Sequence, residues 1–288
     1  MTPNPIVKAF FDEPTFTITY IAHNPDTKEC AIIDSVLGFD PISGHTDKSP
    51  ADLIINYIKE NDLKTEWIME THIHADHISA APYLKEQLGG ITTIGKEISV
   101  IQNAFSDIFC VEEEFPKDGR QFDRLLDEES VLSLGSIPGK ILHTPGHTPA
   151  CITIVFGNCA FVGDTIFMPD FGTARCDFPG GCATTLFKSI HKILSLPDHI
   201  RIFTGHDYKT AERDEYRWES SVKEQRETNI HIATKTAAEF QQIRDSRDAQ
   251  IDLPKLIIPS VQINMRAGHM PPPEQNGHSY IKIPVDLL

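Results

Sequence analysis

The sequence predicts a layered α/β fold, because segments typical of strands alternate with segments typical of helices along most of the chain. Residues 15–36 are two β-rich runs around the turn sequence NPDTK, which indicates a hairpin. Residues 49–62 have apolar residues at helical spacing, an expected serine cap and a proline in the first turn. Residues 64–70 alternate as a strand does, and residues 77–90 are typical of a helix that ends at glycine.

The rest of the chain continues this alternation and then changes in character. A loop is predicted over residues 37–50 from its glycine, proline and turn-forming residues. Further strands are expected within residues 90–96, 130–148, 150–167 and 199–208, and further helices within residues 97–109, 182–197, 218–229 and 236–250. Residues 253–288 are predicted as an extended, proline-bearing tail whose apolar segment 255–265 packs on the body. We therefore predict a main domain at residues 1–210, with C-terminal helices and a tail at residues 211–288 packed on the same domain.

The composition argues against several classes of protein. With 26 Lys+Arg against 41 Asp+Glu in 288 residues, the formal net charge is −15, whereas nucleic acids and anionic membranes bind positively charged surfaces. The chain has no run of about 18 apolar residues that would predict a membrane span, and its N-terminus does not resemble a secretory signal. The six cysteines are scattered without a Cys-x-x-Cys pair, which is typical of reduced thiols. We expect a cytoplasmic enzyme with no nucleic-acid or membrane partner.

The segment THIHADH, residues 71–77, combines three histidines with an aspartate. It lies between a predicted strand and a predicted helix, and therefore forms a strand-to-helix turn. Side chains alternate faces in an extended segment, so His72 and His74 point the same way, while Asp76 and His77 fall at the helix start. Four nitrogen and oxygen donors at a strand end favour a metal site over a polar turn with an aspartate cap.

Three later segments each carry one ligand-type residue just after an apolar run. These are HTPGHTPA with His147, FVGDTIF with Asp164, and FTGHDY with His206. Each residue alone would suit an ordinary turn, but loops at the ends of neighbouring strands converge to build a site. Imidazole and carboxylate ligands suit zinc, iron or manganese without a cysteine. The combined set has room for one or two metal ions.

The HxHxDH turn followed by His147, Asp164 and His206 resembles the metallo-β-lactamase superfamily, over residues 15 to about 210. The resemblance implies a metallo-β-lactamase-like catalytic domain with an αββα sandwich fold. Asp164 stands where the commonest true metallo-β-lactamases carry a cysteine, so an antibiotic hydrolase is not expected. The aspartate pattern is shared by thiolester hydrolases of the glyoxalase II type, lactonases, RNA-processing nucleases and persulfide dioxygenases. The acidic charge disfavours a nuclease.

Local segments resemble the persulfide dioxygenase branch most. They are HADH at 74–77, GDTIF at 163–167 with ARCDF at 174–178, and HDY at 206–208, although Ala174 stands where the branch carries glycine. The longer segment MPDFGTARCDFPGG is similar to bacterial β-lactamase-hydrolase-like proteins, which belong with these sulfur dioxygenases. The basic glutathione contacts of the glyoxalase II C-terminal domain have no match in residues 209–288.

This resemblance implies one Fe(II) per chain, bound by His72, His147 and Asp164. Two histidines and one carboxylate leave open positions on the iron for O2 and for the terminal sulfur of a persulfide. The remaining donors would orient ligands and water or hold a second metal, and they are His74, Asp76, His77 and His206. The expected reaction converts glutathione persulfide, or a similar low-molecular-weight persulfide, to sulfite and thiol with O2.

Two residues near the expected metal allow two interpretations each. Arg175 is expected to bind a substrate carboxylate, as the resemblance implies; the alternative is that it pairs with Asp177 or Asp170 and stabilises its own loop. Tyr208 either gives a phenol hydrogen bond near the metal, as a catalytic residue together with Asp76, or packs in the core.

The sequence leaves two other functions open. One is a binuclear hydrolase of the glyoxalase II type with two Zn(II) ions, and the other is a non-catalytic metal-binding or interaction domain. The complete ligand set disfavours the non-catalytic alternative. Cys176 is favoured as a bystander thiol over a persulfide carrier. A homo-oligomer is compatible with the sequence, which does not specify an oligomeric state.

Overall fold

Two six-stranded sheets face each other in the computed structural model, which describes residues 3–287. In spatial order, the first sheet contains β1 (Ile6–Asp12), β2 (Thr17–His23), β3 (Glu29–Ile33), β6 (Lys64–Met69), β8 (Ile91–Gly95) and β9 (Arg124–Leu126). The second contains β10 (Leu132–Leu134), β11 (Ile137–His143), β12 (Ile152–Phe156), β13 (Cys159–Phe161), β14 (Arg201–Phe203) and β15 (Glu219–Ser221). A small third sheet contains β5 (Thr46–Asp47), β4 (Val36–Phe39) and β7 (Ile78–Ser79).

Seven helices lie among the described residues. They are α1 (Ser49–Glu60), α2 (Ala81–Leu88), α3 (Ile98–Ile108), α4 (Ala183–Leu194), α5 (Val222–Thr228), α6 (Ala237–Asp248) and α7 (Ile257–Asn264). None of the helices within residues 3–287 is long and apolar enough to cross a membrane.

Alternation along the strands places one apolar set between the sheets and another beneath the helices. In β3, Ala31 and Ile33 face the second sheet, while Ile32 packs with residues of α1 and α2. In the second sheet, Ala160 and Ile202 pack in the same way with residues of α4 and α6. Because side chains in a strand alternate with a period of two, each sheet has two buried faces. The result is the predicted αββα sandwich.

The metal-binding turn does not lead directly into a helix, which corrects the prediction that Asp76 and His77 start one. Ile78 and Ser79 form β7, which pairs with Val36 and Leu37 of β4, so their backbone groups are not available for a helix. Helix α2 begins only at Ala81, with a proline in its first turn. The predicted loop at residues 37–50 accordingly contains part of a small sheet.

The cap of the first helix also differs from the prediction. Ser49 lies inside α1, whose N-cap is Lys48 without a side-chain cap. The carboxylate of Asp47 accepts hydrogen bonds from the backbone N–H of Ser49 at 2.9 Å and from its hydroxyl at 2.6 Å. A side chain two residues earlier therefore satisfies one free donor of the first turn.

Strand β1 was not predicted, and α7 replaces part of the tail that was predicted as extended. Pro259 lies in the first turn of α7, where a missing N–H costs no intrahelical hydrogen bond. The apolar residues of this segment do pack on the body, since Val261 and Met265 share a cluster with Ile73 and Ile94. The predicted domain bounds stay a prediction, and residues 1, 2 and 288 within them lie outside the described residues.

Candidate metal centre

The topology brings four ligand-bearing loops together at one edge of the sandwich. Strand β13 is parallel to β14 and antiparallel to β12, which is antiparallel to β11, so β11, β13 and β14 all end at the same edge. His147, Asp164 and His206 follow these three strands. The turn after β6 joins them because the N–H of Ile152 in the second sheet donates to the carbonyl of Thr71 at 2.9 Å.

His72, His147 and Asp164 form a compact trio. The Oδ2 atom of Asp164 lies 4.0 Å from Nε2 of both His72 and His147, and the two imidazole rings are 5.0 Å apart. All three side chains are largely buried, and their ligand atoms lie within 4.8 Å of one another, close enough to hold a metal ion. The structure thus brings together the three residues predicted as iron ligands.

Hydrogen bonds to the far side of each imidazole direct Nε2 into the trio. The hydroxyl of Thr71 donates to Asp34 at 2.8 Å and therefore accepts from Nδ1 of His72 at 3.0 Å. Nδ1 of His147 donates to the carbonyl of Arg175 at 2.8 Å. With a proton on Nδ1, each ring keeps a lone pair on Nε2 for a metal.

The electrostatic environment keeps these two rings neutral. Burial lowers the pKa of His72 well below its usual value, and the neighbouring His74 and His147 add to the effect. Burial also lowers the pKa of His147, although the carboxylate of Asp164 opposes this shift. A metal-binding imidazole must be neutral, so both low pKa values suit ligand roles.

A second group of donors lies on the other side of Asp164. Nε2 of His206 is 3.3 Å from Oδ2 of Asp76 and 3.4 Å from Oδ1 of Asp164. Nδ1 of His77 lies 3.2 Å from the hydroxyl of Thr17. Burial works against protonation of His206, but Asp164 and Asp76 outweigh it and raise the pKa of that imidazole. The carboxylate of Asp164 therefore faces both groups.

His74 is bound by two buried carboxylates. Its Nε2 lies 3.0 Å from Oδ1 of Asp34 and 3.1 Å from Oε2 of Glu70. Burial opposes protonation, but Asp34 and Glu70 outweigh it and raise the pKa of His74 well above its usual value. Both contacts use Nε2, so Nδ1 is the ring nitrogen that is not bonded to a carboxylate.

Three buried ligand atoms of the candidate site make no hydrogen bond within residues 3–287. They are Nδ1 of His74, Nε2 of His77 and Oδ1 of Asp164. A buried polar atom without a partner is costly, and such atoms concentrate where a ligand completes the bonding. His74, Asp76 and His77 also form a cluster of potential metal ligands. The donors fit a metal centre at the first trio and leave room for a second ion beside it.

All three nitrogen atoms of the Arg175 guanidinium donate hydrogen bonds to other residues of the chain. Its Nε and Nη2 atoms donate to the two carboxylate oxygens of Asp177, each at 2.7 Å, and Nη1 donates to the carbonyl of Asp252 at 2.7 Å. Asp170 instead pairs with Arg213. Of the two interpretations, this geometry favours stabilisation of the loop, whose carbonyl at Arg175 orients His147.

Tyr208 and Cys176 have contrasting surroundings. The ring of Tyr208 stacks on His206 with centroids 5.6 Å apart and is 40% exposed, so it lies at the edge of the site rather than in the core. Cys176 is buried with Sγ 3.4 Å from Asp248. Burial, and then Asp248, raise the pKa of this thiol to about 12. A protonated thiol is a poor nucleophile, which suits a bystander.

Sequence reasoning did not identify Asp34, Glu70 or Thr71 as parts of the site. Asp34 directly follows the apolar strand β3, and Glu70 and Thr71 directly follow β6. An acidic residue after a buried strand was the available signal, but His74, the partner of Asp34, lies 40 residues away along the chain.

The metallo-β-lactamase superfamily matches residues 17–206, more than half of the chain. A protein of Burkholderia pseudomallei described as a probable metallo-hydrolase is 47% identical, and the match covers 98% of this chain and 99% of the length of that protein. The β-lactamase hydrolase-like protein of Agrobacterium fabrum is 47% identical over 99% of this chain and 65% of its own length. The mouse mitochondrial persulfide dioxygenase ETHE1 is 30% identical, and the match covers 93% of this chain and 91% of the length of that protein.

Among solved structures, ETHE1 from Myxococcus xanthus superimposes with a TM-score of 0.73 at 26% identity, covering 92% of this chain and all of that one. The chain belongs to the metallo-β-lactamase superfamily. Its αββα fold, its histidine and aspartate metal-binding groups and its resemblance to the ETHE1 and β-lactamase hydrolase-like proteins are thereby confirmed.

Proposed function

We propose that this protein is an iron-dependent persulfide dioxygenase that oxidises glutathione persulfide or a similar low-molecular-weight persulfide. The observation that carries this proposal is the trio of two neutral imidazoles and one carboxylate around a single point. The similarity to ETHE1 over 93% of the chain supports it.

Fe(II) bound by His72, His147 and Asp164 would supply redox chemistry with O2 and keep positions open for both substrates. The overall reaction consumes one persulfide, one O2 and one water, and yields one thiol, one sulfite and two protons. The chain itself contributes orientation, since Thr71 and the carbonyl of Arg175 fix the two imidazoles.

Apolar rings pack around the ligands and restrict water. Phe178 contacts His147 edge-on with centroids 5.3 Å apart, and Phe167 contacts His206 edge-on at 6.2 Å. A hydrophobic surrounding controls solvent access to a metal and its potential. Tyr208, exposed beside His206, is the phenol that a substrate entering this edge would meet.

A second candidate function is a binuclear zinc thiolester hydrolase of the glyoxalase II type. The observation in its favour is the position of Asp164, whose Oδ2 faces His72 and His147 while its Oδ1 faces His206. A carboxylate placed in this way can join two metals, which would activate water as a nucleophile. The relative at 47% identity that is described as a probable metallo-hydrolase agrees with this alternative.

One preparation assayed with two substrates separates the candidates. The dioxygenase proposal predicts oxygen uptake with glutathione persulfide and poor hydrolysis of S-lactoylglutathione, with kcat/KM below about 10⁴ M⁻¹s⁻¹. Efficient thiolester hydrolysis above that value, without oxygen uptake on persulfide, would support the binuclear hydrolase instead.

A further inference from the structure

We propose that Asn264, at the end of α7, is a positioning residue that fixes the metal-binding turn. Its Nδ2 donates to the carbonyls of His74 at 2.9 Å and His77 at 2.8 Å, and its Oδ1 accepts from the N–H of Ser79 at 2.9 Å. The inference rests on the presence of a metal centre and is independent of which reaction that centre catalyses.

These three bonds define one orientation of the amide. Asn264 is only 3% exposed; its NH2 group has partners in the turn, and its carbonyl oxygen has one in β7, which follows the turn directly. If the amide were rotated by half a turn, its NH2 group would face the N–H of Ser79, and its oxygen would face two carbonyls. The side chain therefore holds the turn in one arrangement.

The bonded carbonyls bracket the residues whose side chains complete the site. His74 and His77 carry two of the three buried ligand atoms of the candidate site that lack a hydrogen bond within residues 3–287. Fixing the backbone at both histidines holds the whole turn, which also carries the proposed iron ligand His72, and a small displacement of a ligand lowers metal affinity. Asn264 thus acts on the metal through the turn and does not touch the ion.

Helix α7 and the residues that directly follow it are held firmly enough to transmit this constraint. Gln102 donates to the carbonyl of Met265 at 2.9 Å, and Arg266 pairs with Glu112 through Nη2 and Oε2 at 2.8 Å. Val261 packs in the same apolar cluster as Ile73, the residue between His72 and His74. The helix therefore lies directly behind the turn.

Asn264 lies beyond residues 17–206, the part of the chain that matches the superfamily. The C-terminal segment thus contributes to the metal centre, although the sequence predicted it as a tail. The contribution that we assign to this segment is the side-chain amide of Asn264, which forms hydrogen bonds with three backbone groups.

The test compares two amide-to-carboxylate changes on the same helix. Asn264→Asp keeps the shape but sets oxygen atoms against the carbonyls of His74 and His77. Gln262→Glu is the matched control, because Gln262 is also 3% exposed but bonds to the backbone of Lys282 in the tail. Asn264→Ala is a second variant, which leaves space for water and serves if Asn264→Asp does not fold.

Each protein, stripped of metal, is titrated with Zn(II) against a chromophoric chelator, and its Co(II) form is examined by visible absorption. We expect both Asn264 variants to bind Zn(II) about 10- to 100-fold more weakly and to change the Co(II) spectrum, whereas Gln262→Glu stays within about threefold of the wild type. Unchanged affinity and spectrum in the Asn264 variants, even with a lower Tm, would overturn the proposal. Because no turnover is measured, a failure of the dioxygenase assignment does not affect this result.

Discussion

At the scale of single residues, the two candidate functions use the carboxylate of Asp164 differently. Its two carboxylate oxygens point in different directions, one at 4.0 Å from His72 and His147 and the other at 3.4 Å from His206. The mononuclear centre uses only the first direction. The contribution of His206 to metal binding therefore distinguishes one metal from two.

Replacing the ligands one at a time tests this distinction. Asp164→Ala and His147→Ala should lose bound metal and activity, because a three-ligand site has no spare donor. His206→Ala should retain most of the iron, as elemental analysis of the purified variants would show. If His206→Ala loses metal as completely as Asp164→Ala does, the centre is binuclear.

A buried histidine away from the metal gives a pH dependence of stability. Nδ1 of His231 accepts from the N–H of Thr173 at 3.1 Å, which requires a neutral ring. Burial, and then Arg247 and Arg244, lower the pKa of His231 to about 4, against about 6.5 in the unfolded chain. Between these values the unfolded state binds more protons, so this residue's contribution to stability is lost as the pH falls.

We therefore expect the free energy of unfolding to fall by roughly 3 kcal/mol between pH 7 and pH 4 through His231 alone. His231→Gln should show a shallower decline in urea unfolding over that range, whereas His199→Gln, at an exposed position, should follow the wild type. Equal slopes for all three proteins would show that folding does not lower the pKa of His231.

At the scale of elements, the loop that carries Arg175 connects the metal centre to the segment after α6. The guanidinium of Arg175 binds Asp177 and the carbonyls of Ile251 and Asp252. The backbone carbonyl of Arg175 orients His147. Loss of the Arg175 side chain would free the loop from the segment after α6, and the carbonyl that orients His147 would no longer be held in place.

Arg175→Ala distinguishes stabilisation of the loop from direct binding of substrate. The observed contacts predict that kcat/KM falls about 10- to 100-fold for glutathione persulfide and by a similar factor for a small persulfide without carboxylates, because His147 is displaced in both cases. A selective loss with glutathione persulfide, with metal content unchanged, would instead show that Arg175 binds a substrate carboxylate.

The loop that carries His147 packs tightly on helix α4. Gly146 has φ +137°, and a Cβ atom there would lie 2.3 Å from the backbone N of Leu186. Gly146→Ala should lower the free energy of unfolding of the metal-free protein by about 2–5 kcal/mol, through backbone strain and overlap. Urea unfolding would measure this loss.

Gly44 provides the matched control for that change. It has φ +71° with nothing within 4 Å of an added Cβ, so Gly44→Ala should cost only about 1 kcal/mol, from the backbone alone. Similar losses in the two variants would mean that the contact with α4 does not constrain the loop.

At the scale of the whole molecule, local patterns predicted the ligands, and long-range contacts determined how those ligands are held. The apolar runs before His147, Asp164 and His206 indicated strand ends, and the parallel pairing of β13 with β14 brings two of these together. Nothing local links His74 to Asp34, because the contact depends on how β3 and β6 pair.

The C-terminal segment shows the same limit. Its prolines favoured an extended tail, but Pro259 falls in a first helical turn, where it is tolerated. Burial against Ile73 and Ile94 makes that helix favourable, and these partners lie more than 160 residues earlier in the chain. Tertiary packing outweighed local propensity at this position.

Oxygen consumption by the reconstituted protein tests the proposed function most directly. The metal-free protein is titrated anaerobically with Fe(II) and then mixed with glutathione persulfide and O2. We predict that oxygen uptake saturates at one Fe(II) per chain, with one sulfite formed for each O2 consumed. Saturation only at two metals per chain, or persulfide left unoxidised while zinc restores thiolester hydrolysis, would contradict the dioxygenase assignment.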